Sequence, residues 1–307
     1  MLRLIIMRLL AAVGVVLGAA VVTFFATRAM GDPALAIAGG PESQPTPEVL
    51  AQIRADYGLD DPLVVQFLAY LGNLLTGDLG TSYRLEVPVT AAIGEQLPST
   101  LLLALGAAVV AVIVSFVLAL ATAGRPSRKA SGVLELAFAS TPVFWLGLLL
   151  LSLFSYGLGW FPSISTSDPR SLVLPSVTLG LPIGGLLTQV LRTALEEALE
   201  QPFVLSARAR GLGEAAVRLR HALRHSLIPY LTMSGYVAGA LLGGAVITET
   251  LFNRQGIGSL LLSSVTTQDL PVVMGIVVLS AAIFALVNLL VDLSYPIIDR
   301  RLKEHAA

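Results

Sequence analysis

Residues 101–123 read LLLALGAAVVAVIVSFVLALATA, a run without one charged side chain. A helix needs about 20 mostly apolar residues to cross about 30 Å of hydrocarbon. Helices on the surface of a soluble domain instead alternate an apolar stripe with a polar one. Five further stretches share the character of this run: residues 9–27, 133–156, 172–190, 227–247 and 271–291. The reading is an all-α, polytopic integral membrane protein with six transmembrane helices and the lipid bilayer as solvent. Pro142, Pro175, Pro182 and the Gly243-Gly244 pair fall inside these stretches. Bilayer-embedded bundles tolerate such residues better than soluble helices do.

Composition agrees. The 307 residues are 55% hydrophobic and 13% charged, about half the charged fraction of a soluble domain. Mean hydropathy is +0.82. The formal net charge of −1 leaves no footprint for nucleic acid. The chain has no cysteine, which excludes disulfides, thiolate metal sites and thiol catalysis. Arg3 and Arg8 before the first apolar run suggest a leader peptide. That run is longer than a leader's core, and Ala26-Thr27-Arg28-Ala29 is a poor cleavage site, so a retained helix is expected.

Basic residues set the orientation. With the N-terminus in the cytoplasm, the inner segments hold Arg3, Arg8, Arg125, Arg128, Lys129, Arg192, Arg208, Arg210, Arg218, Arg220, Arg224, Arg300, Arg301 and Lys303. The outer segments hold only Arg28, Arg54, Arg84, Arg170 and Arg254. Six spans return the C-terminus to the cytoplasm. The chain reads as one integral membrane domain over 1–307, with an external insertion at 28–97 and a cytoplasmic loop at 192–226.

The insertion carries nine acids and three arginines, and its early part is proline-rich from Pro41 to Pro47. Thr46 before Pro47 predicts a helix from about Thr46 to Tyr57. Val64, Phe67, Leu68, Leu71 and Leu75 predict a second, apolar-faced helix over 63–75. A third soluble segment is the loop 253–270.

Catalytic constellations are missing. A phosphate-binding loop needs Gly-x-x-x-x-Gly-Lys-[Ser/Thr]; Lys129 and Lys303 are the only lysines, and neither completes it. Any ATP driving this chain is hydrolysed on another polypeptide. His221 and His225 share a helix face, but no cysteine or third histidine lies near to complete a zinc site. All three histidines fall outside the spans, which excludes an intramembrane Ser/His protease. Glu135, Glu249 and Asp292 lie near span ends, where an acid can reach water, hold a loop or pair with a nearby arginine, and no chain of acids crosses the midplane as a proton relay would require.

The segment Ala207-Arg208-Ala209-Arg210-Gly211-Leu212-Gly213, followed by Arg220-His221-Ala222-Leu223-Arg224-His225-Ser226-Leu227-Ile228-Pro229, reads as a short helix, a glycine turn and a helix entering the membrane. Gly211 and Gly213 can take backbone conformations that a Cβ disfavours. Composition alone would make this a solvated basic loop.

The residue order resembles the EAA loop of binding-protein-dependent ABC importer permeases, most closely the dipeptide/oligopeptide/nickel branch. Further motifs stand in that family's order: Gly31-Asp32-Pro33; Tyr57-Gly58-Leu59-Asp60-Asp61-Pro62; Gly77-Asp78-Leu79-Gly80-Thr81-Ser82; Leu97-Pro98-Ser99-Thr100-Leu101; Thr248-Glu249-Thr250-Leu251-Phe252-Asn253 with Gly256-Ile257-Gly258; and Asn288-Leu289-Leu290-Val291-Asp292 with Tyr295 and Asp299. The chain departs from the pattern at Arg210, His225, Arg254-Gln255 and Arg300, and the strict Glu-Ala-Ala triplet is absent ahead of Gly211.

The resemblance implies a type I ABC importer permease fold in a bacterial inner membrane. It implies a second homologous permease, two ABC ATPases and an extracytoplasmic substrate-binding protein as partners. ATP and Mg would sit on the ATPases, and no cofactor in this chain. Ala207, Arg208, Ala209, Arg210, Gly211, Leu212, Gly213, Arg220 and His221 would couple to an ATPase. Asp60, Asp61, Asp78, Asn253 and Gly256 are the candidates for contact with the binding protein. Peptides are the expected cargo, with nickel, glutathione or a sugar as alternatives. An ion-coupled secondary transporter would need inverted repeats and helices interrupted at the midplane, and neither is evident.

Overall fold

The computed structural model describes residues 2–29, 31–40 and 43–298, with side chains throughout except at 2–5 and 296–298. Pro41, Asp299, Arg300, Arg301, Lys303 and His305 lie outside the described residues, as does the side chain of Arg3.

Helices make up the described fold. They run α1 (Leu2–Ala29), α2 (Pro33–Ile37), α3 (Pro47–Asp56), α4 (Leu63–Leu75), α5 (Val89–Thr122), α6 (Arg128–Ser140) and α7 (Val143–Leu150). Then follow α8 (Val173–Leu199), α9 (Pro202–Ala209), α10 (Glu214–Ala216), α11 (Leu223–Leu251), α12 (Ile257–Thr266) and α13 (Leu270–Ile298). Helix α7 continues as a π-helix over Leu151–Gly157, and a second π-helix, Val217–Ala222, joins α10 to α11.

Five of these are long and apolar enough to cross a membrane unbroken: those containing Ile6–Ala29, Val89–Thr122, Pro169–Leu199, Glu214–Leu251 and Leu270–Tyr295. The remaining expected span, 133–156, is not one rod. Helices α6 and α7 meet at a bend of 104° and count as a sixth span only together. The cause is Pro142, whose ring disfavours a helical conformation at the residue before it. Thr141 accordingly sits extended, at φ −77° and ψ 125°.

The two helices of the 28–97 region fall where the sequence placed them. Thr46 caps α3 by accepting from the Val49 amide at 3.5 Å, and α4 spans 63–75 as expected. The second span begins much earlier than its apolar run, because α5 extends back to Val89 through Pro98.

Contacts divide the chain into two compact units. One is built mainly from Leu101–Arg254 together with the chain from Val287. Its centre is α8, the most deeply buried of the spans. Gly180 and Gly184, one turn apart on α8, face Ala107 and Ala111 on α5. A Cβ on Gly180 would fall 2.5 Å from the Ala107 carbonyl oxygen and 2.8 Å from Val110 Cβ, and one on Gly184 would fall 3.3 Å from Ala111 Cα. Small residues spaced by four on both helices let the backbones touch, which is how helices associate where lipid removes the hydrophobic driving force. Gly185 does the same toward α6, where a Cβ would fall 2.9 Å from the Glu135 carbonyl oxygen. On α11, Tyr230 shares a 2.8 Å hydrogen bond with Ser115.

The other unit comprises Ile6–Thr100 and Gln255–Leu286. Val89, Ile93, Ile257, Val272 and Ile276 form its buried core. Phe67 and Tyr70 of α4 pack on Phe24 of α1, with ring centroids 5.2 and 5.7 Å away.

Candidate functional site

The segment 202–222 is built as a clasped turn. Pro202 starts α9, and its fixed φ suits the first helical position. The helix ends in a Schellman motif: the Gly211 amide donates to the Arg208 carbonyl at 2.9 Å and the Leu212 amide to that of Ala207 at 3.3 Å. Gly211 takes φ +80°, where a side chain would be strained. Gly213 does not share this need. It stands at φ −66°, ψ 153° as the cap of α10, so of the two glycines only Gly211 uses the freedom that both have.

Two further devices hold the turn. Val204, Ala207 and Val217 form a small buried core, with Leu212 packed against it. Across the turn, Arg208 Nε donates to Glu214 Oε1 at 2.7 Å and Nη2 to Oε2 at 3.1 Å. The pair is exposed, so its value is geometric more than energetic. The basic character expected here is thus partly neutralised at Arg208. Arg210 Nε donates to the Ser206 carbonyl at 3.1 Å. Arg220 is exposed and His221 half-buried, while the His225 ring lies 4.7 Å from that of Phe203. Leu205 and Leu219 stand open to their surroundings at 67% and 54% exposure, so this segment offers apolar as well as basic contacts.

Beneath the turn, Arg218 ties it to a span, and further charged groups tie α8 to α6 and to the end of α5. Arg218 Nη1 donates to the Leu120 carbonyl of α5 at 3.4 Å. Glu196 of α8 accepts from the Gly124 amide at 3.1 Å and pairs with Arg128 of α6 at 3.3 Å. One turn away, Arg192 of α8 pairs with Glu135 of α6, and the same Glu135 Oε1 accepts from Ser131. Glu135 has no exposed surface and Arg192 7%. Glu249 is also fully buried. Of the expected readings, access to water is therefore corrected for these two acids: the surrounding helices enclose both, and Glu135 pairs with an arginine that the sequence reading placed in the loop.

In the second unit, Asp60, Asp61 and Asp78 are exposed. Asp61 and Asp78 line one cavity of about 450 Å³, together with residues of α1, α4 and the start of α13; Asp60 does not. Asp32 caps α2 through the Ala34 amide at 2.9 Å and pairs with Arg54 at 2.5 Å. Burial alone would raise the Asp32 carboxyl, but the bonds from Arg54 and the Ala34 amide outweigh it and hold it below the usual carboxylate range. Gly256 is buried at the start of α12 in an extended conformation, its amide bonded to Ser259 Oγ at 3.0 Å, and the Ile257 amide is bonded to Thr100 Oγ1 at 2.8 Å. Asn253, in the first unit, is exposed at φ +47°.

The sequence reading missed Asp269. It is 1% exposed. Its carboxylate accepts from Ser82 Oγ and from the amides of Tyr83 and Arg84 at 3.1 and 3.3 Å. Arg84 Nε reaches the Thr267 carbonyl at 3.0 Å. One acid thus anchors the strap between α4 and α5. Burial, aided by Tyr57 and Asp269 and opposed by Arg28, pushes the neighbouring Tyr83 phenol up to about 12. An acid just before an apolar helix is the only signal the sequence carried.

Two family profiles cover nearly all of the chain. Residues 111–304 match the binding-protein-dependent transport system inner membrane component, and residues 1–104 match the N-terminal region of the same class of membrane component. A protein of Brucella abortus (strain 2308) named a peptide transport system permease is 39% identical over 315 residues, covering 99% of each chain. A Brucella suis protein of the same description is 40% identical over 313 residues, covering 98% of this chain and 99% of that one. A glutathione transport system permease protein of Salmonella typhi is 37% identical over 303 residues, covering 97% and 98%.

Proposed function

This chain belongs to the family of binding-protein-dependent transport system inner membrane components, and from that premise we propose that it is one permease of an ATP-driven importer of di- and oligopeptides. It is a multi-pass membrane permease subunit and not a catalytic enzyme. The observation that carries the peptide reading is end-to-end similarity to peptide transport permeases near 40% identity. Glutathione is the second reading, favoured by the Salmonella relative; it is itself a tripeptide, so both readings share a chemical class.

In this reading a second permease completes the passage, two ATPases drive it, and an external binding protein delivers the cargo. Both termini and the segment 202–222 lie in the cytoplasm. Ala207 to Gly213, with Arg220 and His221, dock in a groove of an ATPase. Exposed Leu205 and Leu219 beside exposed Arg220 support this, since an apolar anchor with a charged rim is how docking surfaces gain both affinity and register. Closure of the ATPases pulls on the clasped turn. The bonds from Arg218, Glu196 and Arg192 pass that pull to α5, α6 and α8, and the bundle shifts between two openings as a nucleotide-biased two-state element. On the other side, exposed Asp60, Asp61, Asp78 and Asn253 contact the binding protein. Gly256 is buried and would act only by shaping that loop.

The test is uptake of a radiolabelled di- or tripeptide by cells lacking this gene, with and without its restoration. Uptake lost on deletion and regained on complementation supports peptide import. Retained peptide uptake with lost glutathione uptake moves the cargo to glutathione.

A further inference from the structure

The cavity of about 450 Å³ in the second unit holds, beside Asp61 and Asp78, groups that the proposed mechanism leaves unused: Arg28, Gln66 and Tyr70. Its size is that of small-molecule sites, which combine apolar walls with a few convergent polar groups. Here the walls include Phe24, Tyr57 and Met274. The polar groups carry both signs.

The cation is Arg28, at the end of α1. Its guanidinium carbon lies 4.9 Å over the Phe24 ring, and it makes no ion pair among the described residues. The anions are Asp61 and Asp78. Asp78 Oδ1 accepts from the Gly80 amide at 2.8 Å, which fixes it at the rim.

Two further lining residues, Gln66 and Tyr70, each bring a buried polar atom without a partner. Gln66 Nε2 donates to the carbonyls of Leu59 at 2.9 Å and Asp61 at 2.7 Å. Two carbonyl neighbours demand the NH₂ on that side, so the amide cannot be flipped. Its Oε1 is left buried and unpartnered, an acceptor facing no donor, and the Tyr70 hydroxyl is buried and unpartnered as well. Buried polar atoms in native structures are nearly always paired, and the exceptions call for an explanation.

We propose that this cavity binds a small zwitterion of the short-peptide class, in this chain itself. The ligand's carboxylate pairs with Arg28, for which a planar guanidinium is suited, and accepts from the unpartnered Tyr70 hydroxyl. Its amino or amide N–H groups are taken by Gln66 Oε1 and the Asp61 carboxylate, and an apolar side chain lies against the aromatic wall. The proposal rests on the peptide reading for its ligand class, but it has its own test.

The full chain, assembled with its partner permease and ATPases in phosphatidylcholine nanodiscs without binding protein, is titrated with tritiated Ala-Phe and with its C-terminal amide. Saturable binding of the free acid, at least tenfold tighter than the amide, is expected. Arg28→Gln should abolish that difference, and Tyr70→Phe, which keeps the ring on Phe24, should weaken the free acid about threefold. If Arg28→Gln fails to assemble, Tyr70→Phe carries the test alone. Absence of saturable binding, or equal affinities for acid and amide in the parent, overturns the proposal. So does unchanged affinity in an assembled Arg28→Gln or in Tyr70→Phe. Binding abolished in phosphatidylglycerol nanodiscs would assign Arg28 to lipid headgroups and overturn it equally. Cells that import peptide while the discs bind none leave the import reading standing and remove only this site.

Discussion

Removing the Glu135 carboxylate while keeping Arg192 should unfold much of the first unit. The pair is sealed between α6 and α8, with Glu135 fully buried and Arg192 nearly so. At about 4 Å and an effective dielectric of about 20, two unit charges attract by roughly 4 kcal/mol. Breaking such a pair from one side costs about 3–5 kcal/mol, because the surviving charge stays buried and uncompensated. Glu135→Ala should therefore shift the folded-to-unfolded ratio by about 100- to 4,000-fold, at about 1.4 kcal/mol per decade. The geometry sharpens the expectation: Arg192 and Ser131 both bond to Oε1, and Oε2 has no partner. One oxygen bears the whole arrangement, so the effects of Ser131 and Arg192 are coupled. Ser131→Ala alone should cost only about 0.6 kcal/mol, the typical value for a hydroxyl bond within a membrane bundle. The double change Glu135→Leu with Arg192→Met removes both charges and should return stability to within about 1 kcal/mol of the parent, since apolar replacement of a buried pair is often neutral. Reversible unfolding in mixed detergent micelles, followed by tryptophan emission, measures all three against the parent. A loss below about 1 kcal/mol for Glu135→Ala, or a double variant as damaged as the single one, would refute the reasoning.

Gly211→Val forces a branched side chain to φ +80°, at about 1–2 kcal/mol of local strain, and should leave ATP hydrolysis running without uptake, whereas Gly211→Asn, a residue that visits that region more readily, should retain part of the uptake. Paired ATPase and uptake assays on the two variants distinguish these outcomes. Asp269→Ala should free the strap around Ser82–Arg84, costing about 1.5–3 kcal/mol for each charged hydrogen bond lost, with faster amide exchange at Tyr83 and Arg84 as the readout. Tyr83 should ionise near 12, seen as the absorbance difference between parent and Tyr83→Phe. Because its folded value is raised above the unfolded value near 10, its contribution to stability is complete below pH 10 and is lost as pH rises from about 10 through 12. Asp32 runs the other way: its folded value is lowered, so its contribution is present above the unfolded carboxylate value and is lost as pH falls through the folded one. Exchange of the Ala34 amide should follow that profile and flatten in Arg54→Gln.

Much of this architecture was legible because membrane helices announce themselves by length. The two helices after the first span were legible for local reasons, a threonine cap before Pro47 and an apolar period over 63–75. The bend at Thr141-Pro142 was not, since proline inside an apolar run is common in bilayers and its effect depends on what refills the broken hydrogen bonds. Nor was the partnership of Glu135 with Arg192, residues 57 apart in sequence; pattern reading sees neighbours on one helix and not across two. Asp269 stayed hidden for the same reason. The glycine turn was foreseen as open to Gly211 and Gly213, and only Gly211 makes it, because composition names the residues that permit a conformation and not those that use it.

The seam between α5 and α8 has a consequence for how the chain tolerates change. Where a carbonyl oxygen would stand 2.5 Å from an added Cβ at Gly180, a single methyl group acts as a wedge. It would also splay the lower end of α8, which carries Arg192 and Glu196. A substitution deep in the apolar run would then be felt at a surface several turns away, with no charged residue altered. Scanning this helix one position at a time should reveal a ruler: intolerance recurring every fourth residue, falling silent on the faces between.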